Sequence, residues 1–120
     1  MDERRRRGDR GEAAVAAALE RRGWAIVERQ YRCRWGEIDL IARTADGILC
    51  FVEVKTRSGG AIAPPREAVT AAKRRRLRDA AGWYLAQTGQ DDCLCRFDVA
   101  EVYPADGSGR RQIKYITSAF

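Results

Sequence analysis

Gly36-Glu37-Ile38-Asp39-Leu40-Ile41 and Phe51-Val52-Glu53-Val54-Lys55-Thr56-Arg57 read as two apolar strands that carry acids and a lysine where a core strand would carry valine. Side chains alternate faces along a strand, so Glu37 shares a face with Asp39, and Glu53 shares one with Lys55. The turn between the strands, Ala45-Asp46-Gly47, decides whether these faces are the same. A two-residue Asp46-Gly47 turn pairs Ala45 with Ile48 and separates Asp39 from Glu53. A three-residue loop with Gly47 left-handed pairs Thr44 with Ile48 instead. Asp39 then lies opposite Glu53, and Glu37 opposite Lys55. Ile38, Leu40 and Ala42 face Cys50, Val52 and Val54 as a wholly apolar second surface. A slip of one residue would mix the two sets, so burial selects the three-residue loop.

Three carboxylates and one ammonium on a single patch need a partner, because like charges repel and one lysine does not neutralise three acids. Carboxylate oxygens suit Mg2+ or Mn2+, with a backbone carbonyl and water completing the shell. The alternative is a cross-strand salt bridge on a solvated sheet face, which needs no metal. The apolar run around Glu53 reads as a central strand, which favours a buried cluster over a solvated one.

A chain of 120 residues supports one domain, expected over 1–120 with 1–8 as a mobile basic tip. The net charge of +6 favours a polyanion partner, nucleic acid before membrane. No histidine is present, which excludes histidine metal sites and serine–histidine or cysteine–histidine nucleophile pairs. The four cysteines lack paired zinc spacing and read as structural, reduced thiols, with Cys50 in a buried strand. No apolar run suits a signal sequence or a bilayer span. The expectation is a soluble, cytoplasmic protein that binds DNA and no membrane.

Asp9 and Glu12 have capping-box spacing for a helix reaching about Arg22, with Ala14, Val15, Ala18 and Leu19 as its apolar stripe. Glu12 therefore serves either as a cap or as an acid leaning toward the hairpin. Trp24 to Tyr31 reads as a strand, and Arg32, Arg34 and Trp35 enter the hairpin, where the indole either stacks on bases among the arginines or plugs the sheet edge. Pro64-Pro65 opens a helix expected from about Arg66 to Gln87, with Val69, Ala72, Leu77, Ala80, Ala81, Tyr84 and Leu85 inward. Its cationic run includes Lys73, Arg74, Arg75, Arg76 and Arg78, too many for the helix's own acids to pair. Leu94 to Tyr103 and Ile113 to Ile116 read as the last strands, with Asp98 expected to meet a nearby base. Arg34, Arg57, Lys73, Arg74, Arg75 and Arg76 are the candidate nucleic-acid contacts. Trp83 and Phe120 belong either to the core or to a dimer face.

The order α-β-β-β-α-β, with acids on the second and third strands, resembles the PD-(D/E)XK nuclease core. Within it, the chain is most similar to the YraN family of small bacterial endonuclease-like proteins, related in fold to Holliday junction resolvases. Gly36-Glu37-Ile38-Asp39-Leu40-Ile41 with Val52-Glu53-Val54-Lys55 carries the likeness, joined by Gly11-Glu12, Lys73, Tyr84-Leu85 and Arg96-Phe97-Asp98-Val99. Ile38 stands where the superfamily pattern has proline, and Gly59-Gly60 where an aromatic-glycine pair is expected. The resemblance implies a restriction-endonuclease-like single domain, a mixed central sheet flanked by helices. It implies Asp39, Glu53 and the Val54 carbonyl as metal ligands, with Lys55 orienting water and Glu37 and Glu12 assisting. Branched or junction DNA as substrate and a homodimer follow from the same likeness.

Overall fold

A computed structural model describes residues 3–57 and 69–120. Two helices, α1 (Glu3–Arg21) and α2 (Ala71–Thr88), cover a five-stranded mixed sheet. The strands are β1 (Ala25–Cys33), β2 (Gly36–Arg43), β3 (Leu49–Thr56), β4 (Cys95–Ala105) and β5 (Arg111–Ile116). They lie in sequence order across the sheet; only β3 and β4 run parallel, because α2 makes the crossover between them. Such an arrangement is the expected α/β order with β5 as its last edge, and β3 is central as its apolar run predicts. Among the described residues, no helix is long and apolar enough to cross a membrane.

The hairpin register is the one that the three-residue loop requires. Thr44 N–H donates to Ile48 O at 2.9 Å, and Gly47 sits at φ 92°. Arg43 pairs with Leu49, Ala42 with Cys50, Ile41 with Phe51 and Leu40 with Val52. One detail departs from the expected face. Leu40, Ala42, Cys50 and Val52 pack with Val15, Ala16 and Leu19 beneath α1, but Ile38 packs with Ile41, Phe51 and Tyr84 beneath α2. The change of face falls at Asp39, whose carboxylate reaches across to the β3 backbone. On the α2 side, Ile41, Leu49 and Phe51 are as buried as their neighbours below. Charge is therefore segregated along the hairpin, at its open end, as well as across it.

Both helices begin elsewhere than their sequence signals indicate. α1 reaches back to Glu3, so Asp9 is not its cap and Glu12 lies well inside it. Val69 is buried and precedes α2, and Thr70 at φ −66°, ψ 163° is the N-cap, its hydroxyl accepting from Lys73 N–H at 3.2 Å. The Pro64-Pro65 and Gly59-Gly60 pairs lie outside the described residues. Leu77, Ala80, Ala81 and Tyr84 form the inward stripe of α2, while Ala72, expected inward, is exposed. Trp24 packs edge-on against Tyr115, and Phe97 stacks between Phe51 and Phe120, so Phe120 belongs to the core side.

Candidate active site

The hydrogen-bond ladder of the hairpin opens beyond Leu40 and Val52, and the acids occupy the opening. Continuing the register sets Asp39 across from Glu53. Val54 N–H donates to Asp39 Oδ2 at 2.8 Å, where the next rung would offer a β2 carbonyl. A short acidic side chain thus replaces a backbone acceptor, and this holds the carboxylate between the strands. Glu53 is only 5% exposed. Its Oε1 accepts from Lys73 Nζ at 2.5 Å and Lys55 Nζ at 3.4 Å. Lys73 arrives from α2, on a turn fixed by the Thr70 cap and free of acids, so the positive end of the helix also faces the pair. Asp39, Glu53 and Lys73 line a cleft of about 340 Å³ together with Gly36, Glu37, Arg76 and Leu77.

Electrostatics in the cleft follow from burial. Burial and the facing Glu53 push the Asp39 carboxyl up to about 8, with Glu12 adding to the rise. The Val54 N–H and Lys73 pull the other way without cancelling it. Burial and the neighbouring Lys73 lower the Lys55 ammonium from its usual range. Lys73 suffers the same burial, but its contact with Glu53 outweighs it and its pKa rises. The two shifts agree with the distances: Lys73 is the closer partner of Glu53, and Lys55 is the lysine whose proton is loosened.

Glu12 reaches this neighbourhood from α1. Gly11 is buried where a Cβ would come within 2.5 Å of Thr56 Oγ1, so its missing side chain lets the helix approach the end of β3. Glu12 Oε2 then accepts from Gln30 Nε2 at 2.9 Å, and Gln30 itself sits at φ 49°. Glu37 points elsewhere than expected. It pairs with Arg32 at 3.4 Å on its cross-strand neighbour, largely in solvent, instead of with Lys55.

The candidate nucleic-acid contacts divide in the same way. Arg75 and Arg76 are exposed, Arg76 on the cleft lining, whereas Arg74 lies against Phe120 and donates to Val69 O at 3.1 Å. Arg34 stacks on the exposed Trp35. Arg57 is turned inward, its Nε 2.6 Å from Glu101 Oε2, and its buried Nη2 has no hydrogen-bond partner among the described residues.

Glu101 is 1% exposed, bonded also by Tyr103 OH, and lies beside Lys55 in the β3–β4 register. Sequence reasoning passed over it. Its only signal was a charged residue inside an apolar strand. Asp98, expected to meet a base, is fully buried and receives Arg96 Nε at 3.1 Å, Tyr115 OH at 2.6 Å and Ser118 N–H at 2.9 Å.

Among the described residues, no three acidic, histidine or cysteine side chains are grouped to hold a metal ion. Any ion here would rest on the two carboxylates of Asp39 and Glu53 with a backbone carbonyl such as that of Val54. That donor set is all oxygen and fits Mg2+ or Mn2+. A cation would also relieve the repulsion that raises Asp39, though it must compete with the Lys73 ammonium for Glu53.

Comparison with known proteins adds the following. A family model described as "Uncharacterised protein family UPF0102" matches residues 11–102. The UPF0102 protein STH1475 of Symbiobacterium thermophilum is 51% identical over 116 residues, 97% of each chain. A UPF0102 protein of Moorella thermoacetica is 49% identical over 100 residues, 83% of this chain and 82% of the other. Among solved structures, the SfsA protein of Pyrococcus furiosus in complex with Ca2+ superposes with a TM-score of 0.43 at 16% identity. The match covers 94% of this chain but spans only 63% of that one.

Proposed function

The chain belongs to the uncharacterised protein family UPF0102, and we propose that it is a metal-dependent nuclease hydrolysing DNA phosphodiesters. The observation that supports this reading most is Asp39 set against a buried Glu53, with Lys55 and Lys73 on the same carboxylate oxygen. Buried acids that repel one another weaken a fold, so their presence in a cleft points to chemistry. Mg2+ or Mn2+ held by Asp39, Glu53 and the Val54 carbonyl would supply Lewis-acid polarisation of the phosphate and a bound water of lowered pKa.

The remaining tasks fall to the protein. Lys55, with its proton loosened, orients the attacking water and donates to the charge developing on the phosphate oxygens. Val54 N–H fixes the direction of the Asp39 carboxylate. Glu12, steadied by Gln30, adds negative charge behind Asp39. Glu37 stays at the rim. Arg75 and Arg76 grip the sugar-phosphate backbone, an interaction that carries affinity without sequence. Branched or junction DNA and a homodimer are the substrate class and assembly we infer from the resemblance to the resolvases.

One observation favours a second reading, a DNA-binding module without turnover. Lys73 already stands where a cation would neutralise Glu53. Manganese titration by calorimetry into the wild type and the Asp39→Asn, Glu53→Gln double variant separates the two, followed by cleavage of four-way junctions and linear duplex. The nuclease reading expects binding and cleavage that both vanish in the variant. DNA binding without metal uptake or cleavage would leave the binding module.

A further inference from the structure

Two tryptophans remain largely in solvent, Trp35 at 42% and Trp83 at 40% exposure. They line a common groove of about 370 Å³ with Arg78, Asp79, Gly82 and Ala86. The groove adjoins the acid cleft along the chain. Trp35 precedes Gly36, and Arg78 follows Leu77, and both Gly36 and Leu77 line the cleft. Among the described residues, no atom lies within 4 Å of where a Gly82 Cβ would stand, so they leave the groove floor on α2 open. Trp24, the third indole, is packed against Tyr115 away from this surface.

We propose that this groove seats an unpaired nucleobase of the DNA strand whose backbone crosses the acid cleft, so that the substrate is DNA with a single-stranded segment beside the cleavage point. The inference rests on the nuclease reading for the occupant of the cleft. Indole faces accept any base by stacking, and the small Gly82 and Ala86 leave room for a flat ring. Asp79 can accept from the amino or imino hydrogens of a base. The cations stand around it: Arg34 lies 4.9 Å from the Trp35 ring centroid and Arg76 lines the adjoining cleft. Arg78 stands on the groove wall itself, so the phosphates run along Arg34, Arg76 and Arg78 while the base turns in against the indoles. A second copy of this chain fits less well, because each carries a net charge of +6 and would bring the same arginines together.

The test measures DNA binding by the full chain in a chelator, so that cleavage plays no part. A labelled duplex with a short single-stranded extension is compared with a blunt duplex of equal length. Trp35→Ala and Trp83→Ala should each weaken binding of the extended DNA about 5- to 100-fold and leave the blunt duplex unchanged. Gly82→Leu should do the same by filling the groove while keeping its thermal midpoint, since the position is open and helical. Equal affinities of all three variants for extended DNA would overturn the proposal and leave the nuclease reading standing. So would a decrease that is uniform across both DNAs. Conversion of a wild-type dimer to monomer in the tryptophan variants, with DNA binding unaltered, would assign the groove to self-association. Failure of the wild type to bind either DNA, in chelator and again with Ca2+ in its place, would remove the nuclease reading together with this one.

Discussion

Lys73 on α2 and Glu53 on β3 meet with Nζ 2.5 Å from Oε1, closer than the strand's own Lys55 at 3.4 Å. The pair joins the helix to the acid end of the sheet. It also sets two uses of Glu53 in competition, one as the anchor of α2 and one as a ligand.

Lys73→Met should therefore act in opposite directions on stability and on metal affinity. Glu53 is 6% exposed at its side chain and Lys73 35%, so removal of the lysine leaves a buried charge whose remaining cationic partner among the described residues is Lys55. Breaking a fully buried pair removes about 3–5 kcal/mol, and partial screening of Lys73 reduces that to roughly 1–2 kcal/mol. Chemical unfolding without metal reads this decrease. Calorimetry should show manganese binding tightened, by about 3- to 10-fold, because the ion no longer displaces an ammonium. A variant that loses stability and metal affinity together would show that Lys73 helps to build the site and does not compete for it.

Asp39→Asn should raise metal-free stability at neutral pH while abolishing metal binding. The amide oxygen still accepts from Val54 N–H, and the repulsion with Glu53 disappears. Asp39 holds its proton to about pH 8 in the folded state against an ordinary value of 3.8, so the native chain binds more protons than the unfolded one between these values. Stability from this group is therefore greatest at low pH and falls as pH rises through the window. The advantage of the variant over wild type should be near zero at the acid end. It should grow to about 1–3 kcal/mol at the alkaline end, a rise in Tm of roughly 3–9 °C. Paired melting curves across that range check the slope, and a constant difference would contradict the assigned shift.

The hairpin was legible because several local signals agreed. Gly47 tolerates the left-handed turn, the loop length fixes the register, and the apolar set from Leu40 to Val52 tolerates no slip. Helix starts were less legible. Asp9 and Glu12 have the spacing of a cap, but residues before them continue the helix, and a tertiary approach through Gly11 draws Glu12 toward the sheet instead. Parity also failed at Asp39. A side chain that bonds to a neighbouring backbone lies between strands, and alternation alone places it above or below. The cationic run of α2 divided once wound into a helix: Lys73 turned to the acids, Arg74 to Phe120, and Arg75 and Arg76 to solvent. Glu101 was hidden for a different reason, since its partner Arg57 is far off in sequence and looked like a surface cation.

Glu101→Gln should test that buried pair. The carboxylate is 1% exposed and holds Arg57 Nε at 2.6 Å, while among the described residues Arg57 Nη2 already lacks a hydrogen-bond partner. Removing the negative charge leaves a mostly buried guanidinium uncompensated, at about 3 kcal/mol. Urea unfolding should show the midpoint fall with an unchanged slope. The Glu101→Gln, Arg57→Met double variant should recover part of the stability, because two uncharged groups replace an unpaired ion. No recovery would place the cost elsewhere, with Tyr103 as the remaining partner of Glu101.

Arg75→Ala with Arg76→Ala should weaken DNA binding without touching the fold. Both residues are exposed on the solvent side of α2, and neither belongs to its inward stripe of Leu77, Ala80, Ala81 and Tyr84. Alanine favours the helix as much as arginine does, so the thermal midpoint should move by less than about 2 °C. Each arginine that no longer neutralises a phosphate reduces the slope of log affinity against log salt by about 0.9, so the double variant should be shallower by nearly 2. Affinity should fall alike for all DNA sequences, since the sugar-phosphate backbone carries no base information. A binding titration over several salt concentrations reads both quantities at once. An unchanged slope would mean that the DNA passes another face, and Arg34 and Arg78 beside the tryptophan groove would then be the cations to remove next.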